Sequence, residues 1–371
     1  MVAVASATLW VAALLAPWRA WSTRERLEPD PRAGPLTPDE CAAVTVLIPA
    51  RDEAGIIGRT IAAVRAQGTA IPILVVDDQS RDETAVVART AGGDQCEVIA
   101  GDPLPAGWVG KMWALEQGRR RVRTPLVLLL DADIELCPGM LAALLARRGA
   151  DGRALVSLMA QLEMASRWER LLIPAFVYFF KLLYPFRISN SRSSVVAAAA
   201  GGCVLVETAA IERIGGFGAI RGALIDDCAL ARAVKDAGGR TWIGLTHGAV
   251  SARRMPTLGS IWRMVVRSAF AQLRYSALLL LLCVALLLLA FWAPLAALLS
   301  HDRRVWEAGV VALAAMLATY VPILRFYRLS PLWALTLPLA GTLYLGMTVS
   351  SALQAWRGVR SQWKGRVYRA A

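Results

Sequence analysis

The chain has 371 residues, 56% of them hydrophobic, and a formal net charge of +13. With a positive mean hydropathy, this composition excludes an ordinary soluble two-domain protein, because part of the apolar surface has to face lipid. Basic residues gather beside the apolar segments, at Arg19, Arg24 and Arg26, at Arg263, Arg267 and Arg274, and from Arg357 to Arg369, a placement that suits anionic head groups. No nucleic-acid motif or Lys-rich stripe with interleaved aromatics accompanies them, so no nucleic-acid partner is expected, and no protein partner can be inferred. The six cysteines (Cys41, Cys96, Cys137, Cys203, Cys228 and Cys283) form no CxxC pairs and read as reduced cytosolic thiols instead of a disulfide frame or zinc site.

In chain order, Val2 to Trp18 is an apolar stretch within the range that crosses a bilayer, which makes residues 1–20 an expected transmembrane anchor. A cleaved signal peptide is disfavoured because the basic residues follow the apolar run. The same asymmetry puts the following domain in the cytoplasm. From about Ala43 to Gly248, short β-branched runs are closed by acidic or Gly-containing loops and followed by helical periodicity. VTVLIPA (Val44 to Ala50), PILVVDD (Pro72 to Asp78), CEVIAG (Cys96 to Gly101) and PLVLLLDAD (Pro125 to Asp133) read as buried parallel strands of an α/β sheet. Ligands of such sheets bind at the C-terminal strand ends, where Glu53, Asp77, Asp78, Asp131 and Asp133 fall.

In LLLDADIEL an apolar strand delivers two carboxylates one residue apart. Alternation along an extended chain would point Asp131 and Asp133 to one side, able to hold a hard divalent cation that also grips a diphosphate. Asp-x-Asp also arises in surface loops, but at a buried strand end it demands a compensating cation. In VVDDQSRDET, Asp78 ends a strand and can accept hydrogen bonds from a base or ribose. Asp82 either caps the next helix or acts in binding. Gly201 and Gly202, before the short strand CVLV, either admit a donor or acceptor sugar close to the backbone or are turn glycines.

Leu171 to Phe186, LLIPAFVYFFKLLYPF, is apolar and aromatic but carries Lys181 and two prolines; it reads as a poor span and as either a wall for a lipid or a core element. Residues 258–276 hold Leu258, Ile261, Trp262, Val265, Val266, Ala269, Phe270 and Leu273 at helical spacing, with arginines between them, the pattern of an interfacial amphipathic helix or of a domain helix packed on the sheet. Residues 277–353 contain Ala277 to Leu299, Ala308 to Leu324 and Leu332 to Leu353, two to three membrane helices, before a basic tail at 354–371. If all three crossed, Arg357, Arg360, Lys364, Arg366 and Arg369 would end outside, against the positive-inside rule. Leu332 to Leu353, interrupted by Pro338, is the segment expected to be re-entrant or interfacial.

Taken in order and spacing, VTVLIPARDEAGII, VVDDQSRDET, GKMWALEQG, LLLDADIEL and LIDDCALARAVK resemble the family 2 glycosyltransferases of GT-A fold, over roughly Val44 to Tyr275. GWVGKMWA, LIDDCALA and the C-terminal helices resemble the hopene-associated glycosyltransferase subgroup. The resemblance implies an α/β, Rossmann-like nucleotide-diphospho-sugar transferase domain at 40–257, with helical membrane segments at both ends. It implies a nucleotide pocket lined by Pro49, Ala50, Glu53 and Asp78, with Lys111 offering a charge to the diphosphate or serving as a solvated helix-start lysine. Asp131 and Asp133 match the metal pair for Mn2+ or Mg2+, and Asp131 also faces the nucleotide sugar. Asp226 and Asp227 match the family's Glu-Asp pair, whose second member is the catalytic base of an inverting mechanism. A carboxylate within hydrogen-bond reach of an acceptor hydroxyl removes its proton as the glycosidic bond forms. The departure, Asp226 in place of Glu, leaves its role open.

His247, in LTHGAV, stands where some members supply a third metal ligand; it otherwise reads as a hydrogen-bonded loop histidine. Processive synthases of the superfamily carry Gln-x-x-Arg-Trp, and here Arg274 and Tyr275 close the nearest text, Ala271 to Tyr275, as candidate acceptor residues. The missing Gln and Trp favour one sugar transfer over polymerisation. The expected activity is inverting transfer from a nucleotide-diphosphate sugar to a lipid, of hopanoid or another type, by a multi-pass protein of the cytoplasmic membrane. The alternatives are a processive or polyprenyl-phosphate-linked glycan synthase and a degenerate membrane scaffold.

Overall fold

A computed structural model describes residues 1–30, 34–193, 195–363 and 366–369. The chain divides into a sheet unit, Glu25–Glu163 with Ile188–Arg254, and a helical unit, Met1–Arg24, Met164–Arg187 and Met255–Ala371. The sheet unit is thus discontinuous: it begins before residue 40, ends at Arg254 and cedes Met164–Arg187 to the helical unit.

Eight strands form one mixed sheet: β1 (Val44–Ala50), β2 (Ile73–Asp77), β3 (Cys96–Ala100), β4 (Leu126–Leu130), β5 (Ile134–Leu136), β6 (Leu155–Gln161), β7 (Cys203–Glu207) and β8 (Thr241–Ser251), in the order β3-β2-β1-β4-β7-β6-β8-β5. β1 to β4 are mutually parallel, as their apolar runs predict. β7 is antiparallel to β4 and β6, and β5 to β8. Strand alternation splits the core in two. Val46 and Ile48 of β1 pack with helices Ile57–Arg65 and Met140–Asp151, while Leu47 packs with helices Gly110–Arg119 and Asp226–Asp236. Burial on both faces explains why β1 and β4 are apolar apart from Thr45, whereas β3, at the sheet edge, carries the exposed Glu97. The four parallel strands deliver their C-terminal ends, and the residues just past them, to one edge of the sheet.

The segment from Glu25 to Leu27 is stitched onto β8: Leu27 N donates to Leu245 O at 2.9 Å, and Leu245 N to Glu25 O at 2.9 Å. All six cysteines are free thiols.

Among the described residues of the helical unit, three helices are long and apolar enough to cross a membrane: Ala277–Ala297, Arg303–Phe326 and Pro331–Trp356. Helix Val2–Leu15 has 14 residues, about 21 Å at 1.5 Å each, short of the roughly 30 Å hydrocarbon core; the expected anchor is shorter than its apolar run because the helix stops at Leu15, before Pro17. Helix Arg167–Leu183 opens with a Ser166–Glu169 capping box. Its buried face is core of this unit: Tyr178 Oη lies 2.7 Å from Thr319 Oγ1, and Leu172 O accepts from Tyr344 Oη at 2.9 Å.

Leu258–Gln272 is a helix with Ile261, Val265, Val266 and Phe270 buried and Arg263 and Arg267 exposed, as its periodicity predicts. Pro331–Trp356 runs antiparallel to Ala277–Ala297. Gly341 packs on Phe291, Thr342 accepts from Trp292 Nε1 at 3.1 Å, and Ala352 shares a cluster with Leu280. Its last ring, Trp356, lies 5.8 Å from that of Phe270. Arg357 therefore leaves at the end where the arginine-bearing helix finishes. Lys364 of the basic tail lies outside the described residues.

Candidate active site

The loops after β1 and β2 are tied to each other by short polar side chains. Asp52 N donates to Ser80 Oγ (3.0 Å), Glu53 N to Thr84 Oγ1 (2.8 Å), Ala54 N to Asp82 Oδ2 (3.1 Å) and Arg81 N to Asp52 Oδ1 (2.8 Å). Thr84 donates both its N and its hydroxyl to Asp82. Asp82 thus joins two loops as well as starting helix Thr84–Gly92; burial, the largest single influence, raises its carboxyl, but the hydrogen bonds from Thr84 and Ala54 together hold it below the usual range. Asp52 and Gln79 adopt left-handed backbone, φ 52° and 58°, a cost the straps sustain. Arg51 donates to Asp78 O at 2.5 Å, and the Asp78 side chain is buried at the strand end. Beside it, a Cβ on Gly101 would come within 3.3 Å of Asp78 Cα, so β3 approaches because residue 101 is glycine. Pro49, Ala50, Glu53 and Asp78 are thereby set along one strand-end rim.

The next group is built around Lys111, at the start of helix Gly110–Arg119. Its Nζ lies 2.7 Å from Asp131 Oδ1 and 3.4 Å from Asp226 Oδ2. Burial disfavours the ammonium, but Asp131 and Asp226 outweigh it and raise its pKa. Asp226 and Asp227 begin helix Asp226–Asp236, where backbone N–H groups favour carboxylates. Asp227 accepts from Gly201 N (2.9 Å) and Cys228 N (2.7 Å). Burial first, and then Asp226, push its carboxyl up to about 6. Burial also raises Asp131, against the pull of Lys111.

Asp131 and Asp133 do not share one side of an extended strand. β4 ends at Leu130, and a turn closed by Ile134 N to Asp131 O (3.0 Å) separates the two carboxylates. Asp131 goes to Lys111. Asp133 accepts from Ser251 Oγ at 2.8 Å and Arg253 Nε at 3.3 Å, and Arg253 Nη2 reaches Glu53 Oε1 at 2.5 Å. Around this group, among the described residues, five carboxylates (Glu53, Asp131, Asp133, Asp226, Asp227) face two protein cations, Lys111 and Arg253. That donor set is oxygen-only and undercompensated, which fits a hard divalent cation. Among the described residues no three His, Cys, Asp or Glu side chains converge as a metal cage. An ion held by Asp131 or Asp133 would therefore complete its shell with water and phosphate oxygens, as Mg2+ sites commonly do.

His247 is not with this group. It lies within β8, not in a loop, and its Nδ1 is 2.7 Å from Glu28 Oε1, while its N donates to Glu28 Oε2 at 2.9 Å. Ser251, the β8 residue that does reach Asp133, lies about 13 Å further along the extended strand. Gly201 and Gly202 do belong to the group. A Cβ on Gly201 would come 3.2 Å from Lys111 Nζ and 3.4 Å from Asp227 Cβ, and Gly202 O accepts from Asp131 N at 3.0 Å. Arg274 and Tyr275 belong to the helical unit, where both are left-handed (φ 52° and 56°) and end helix Leu258–Gln272, with the Tyr275 ring 5.6 Å from Phe270.

Three residues here do not stand out in the sequence. Arg253 lies outside the motifs, while Arg51 and Glu116 lie within them, in VTVLIPARDEAGII and GKMWALEQG. Glu116 sits inside a helix, yet accepts from Phe217 N (3.1 Å) and pairs with Arg119 (2.8 Å), fixing the segment that leads to Asp226. The one available hint is spacing, since Glu116 and Arg119 stand three apart on a helix.

The mixed sheet with nucleotide-side loops on β1 to β3 and acidic residues after β4 defines a GT-A nucleotide-diphospho-sugar transferase fold. The mannosyltransferase PcManGT of Pyrobaculum calidifontis, solved with GDP-Man and Mn2+, superposes with a TM-score of 0.54 at 17% identity, over 95% of this chain and 98% of that one. Residues 45–215 match the model for glycosyl transferase family 2. A relative, 4,4'-diaponeurosporenoate glycosyltransferase of Staphylococcus aureus (strain MRSA252), is 36% identical over 92 residues, 25% of this chain and 24% of the relative. The same enzyme of strain USA300 gives the same figures. The aligned part thus spans about a quarter of the length of the curated relatives.

Proposed function

We propose that the protein transfers a sugar, with inversion, from a nucleotide-diphosphate sugar to a hydroxyl of a lipid acceptor at the cytoplasmic face of a membrane. The observation that carries the reading is Asp227: a partly buried carboxylate raised to about 6, fixed by Gly201 N–H and set across Lys111 from Asp131. A base poised just below neutral pH is ionised at work yet still takes a proton effectively.

In this mechanism Asp227 removes the acceptor proton as the acceptor oxygen attacks the anomeric carbon and the bond to the nucleoside diphosphate breaks. Lys111 stabilises charge on the departing diphosphate, and Asp226 keeps Lys111 in place. Glu53 and Asp78 line the nucleotide side with Pro49 and Ala50. Asp131 and Asp133 would hold Mn2+ or Mg2+, which supplies Lewis-acid stabilisation of the leaving diphosphate when bound.

The acceptor class is supported by the three apolar helices and the exposed arginines of the helical unit, and by a relative named for a glycosyltransferase of 4,4'-diaponeurosporenoate. The metal is supported by the donor set and by Mn2+ in PcManGT. Cytoplasmic placement is supported by Arg19, Arg24 and Arg26 after the first apolar segment.

The test is nucleotide-diphosphate release by detergent-purified protein over a panel of nucleotide sugars, with Mn2+ or Mg2+ and a bacterial lipid extract. Release that needs metal, Asp133 and Asp227, with sugar recovered on a lipid, is the expected result. Release unaffected by Asp227→Asn would sink the assignment of the base.

A further inference from the structure

The two protein cations of the site differ in how they are held. Lys111 is tucked between Asp131 and Asp226, with a side chain 19% exposed. Arg253 is 40% exposed and stands just past the end of β8, reaching inward to Asp133 and Glu53, whose side chains are 16% and 9% exposed. Ser251 Oγ holds Asp133 Oδ2 independently at 2.8 Å, so Asp133 keeps its position if the guanidinium leaves. Arg253 N also donates to Ser251 Oγ at 3.2 Å, which fixes the root of the side chain while its head remains at the solvent edge.

From this geometry we infer that Arg253 is a displaceable internal counter-ion: it occupies Asp133 when no divalent cation is bound, competes with the ion for that carboxylate, and is released to the donor's phosphates when the ion enters. The inference rests on the proposed function for the identity of the donor, but the competition itself concerns only Arg253, Asp133 and the ion. A guanidinium and a divalent cation cannot both take the same carboxylate oxygen at full strength, and the guanidinium is the partner with a way out to solvent. Released from Asp133, its planar fork suits bidentate contact with phosphate oxygens. Glu53, on the β1 loop, gives the arginine a second anchor, so that its swing links the nucleotide side to the metal side.

The experiment measures Mn2+ binding without nucleotide, by calorimetry on the detergent-purified full chain, for wild type, Arg253→Gln and Asp133→Asn, with thermal melts to confirm folding. Removing the competitor should tighten Mn2+ about fivefold in Arg253→Gln, the size of one partly exposed ion pair, while the KM for the nucleotide sugar rises. A merely structural arginine would not improve metal affinity when lost. Unchanged or weaker Mn2+ binding in a folded Arg253→Gln protein overturns the role of Arg253 and leaves the transferase reading standing. Binding indifferent to Asp133→Asn overturns the role of Asp133 as a ligand of the ion and, with it, that of Arg253 as its competitor.

Discussion

The loops after β1 and β2 are tied by backbone donors and the oxygens of Ser80, Asp82 and Thr84, whereas the elements around Asp131 are tied by charge, through Lys111 and Arg253. The first kind of tie is short-ranged and responds little to salt or to an incoming ion. The second is a balance of charges, which a metal, a diphosphate or a proton resets. In the proposed transfer, recognition of a nucleotide calls for a fixed shape and displacement of a diphosphate for a field that responds, and the two halves of the rim would divide the work in that way.

The comparison breaks first at Asp227. Asp227→Asn should lower kcat by 10² to 10⁴-fold, the range for losing a positioned base, with donor binding by calorimetry unchanged. Next is Lys111→Met, expected to lower kcat/KM by about 10²-fold in steady-state assays. It should also shift the acid limb of the pH profile upward, since the ammonium helps ionise Asp227 and its loss raises that carboxyl further. In the wild type, burial beside Asp226 keeps Asp227 protonated below about pH 6. The kcat/KM should therefore fall with falling pH through about 6 and level off above it. The smallest effect belongs to the strapped side: Asp82→Ala should cost about 1 kcal/mol of stability in a melt and raise the donor KM several-fold with kcat nearly unchanged.

Much of this contrast is legible before folding, but unevenly. The parallel strands β1, β2 and β4 announce themselves because burial on both faces demands apolar runs. β8 does not, since TWIGLTHGAVS is broken by Gly, Thr and His, and so His247 reads as a loop residue although it is a strand residue paired with Glu28. The DAD text shows two carboxylates yet not the turn that parts them, because a turn of apolar and acidic residues leaves no Gly or Pro mark. Arg253 is invisible for a different reason: its partners, Glu53 and Asp133, are 200 and 120 residues away, and long-range charge pairing has no local pattern.

The stitch between Glu25–Leu27 and β8 bears on how the protein can be handled. A truncated chain that starts at the first predicted strand would strip that backbone from β8 and leave unpaired N–H and C=O groups at Leu245, an open edge that invites pairing between copies. A soluble version should start at Glu25, and it must rejoin Glu163 to Ile188, so that the piece carried into a test tube keeps the seam that nature sewed.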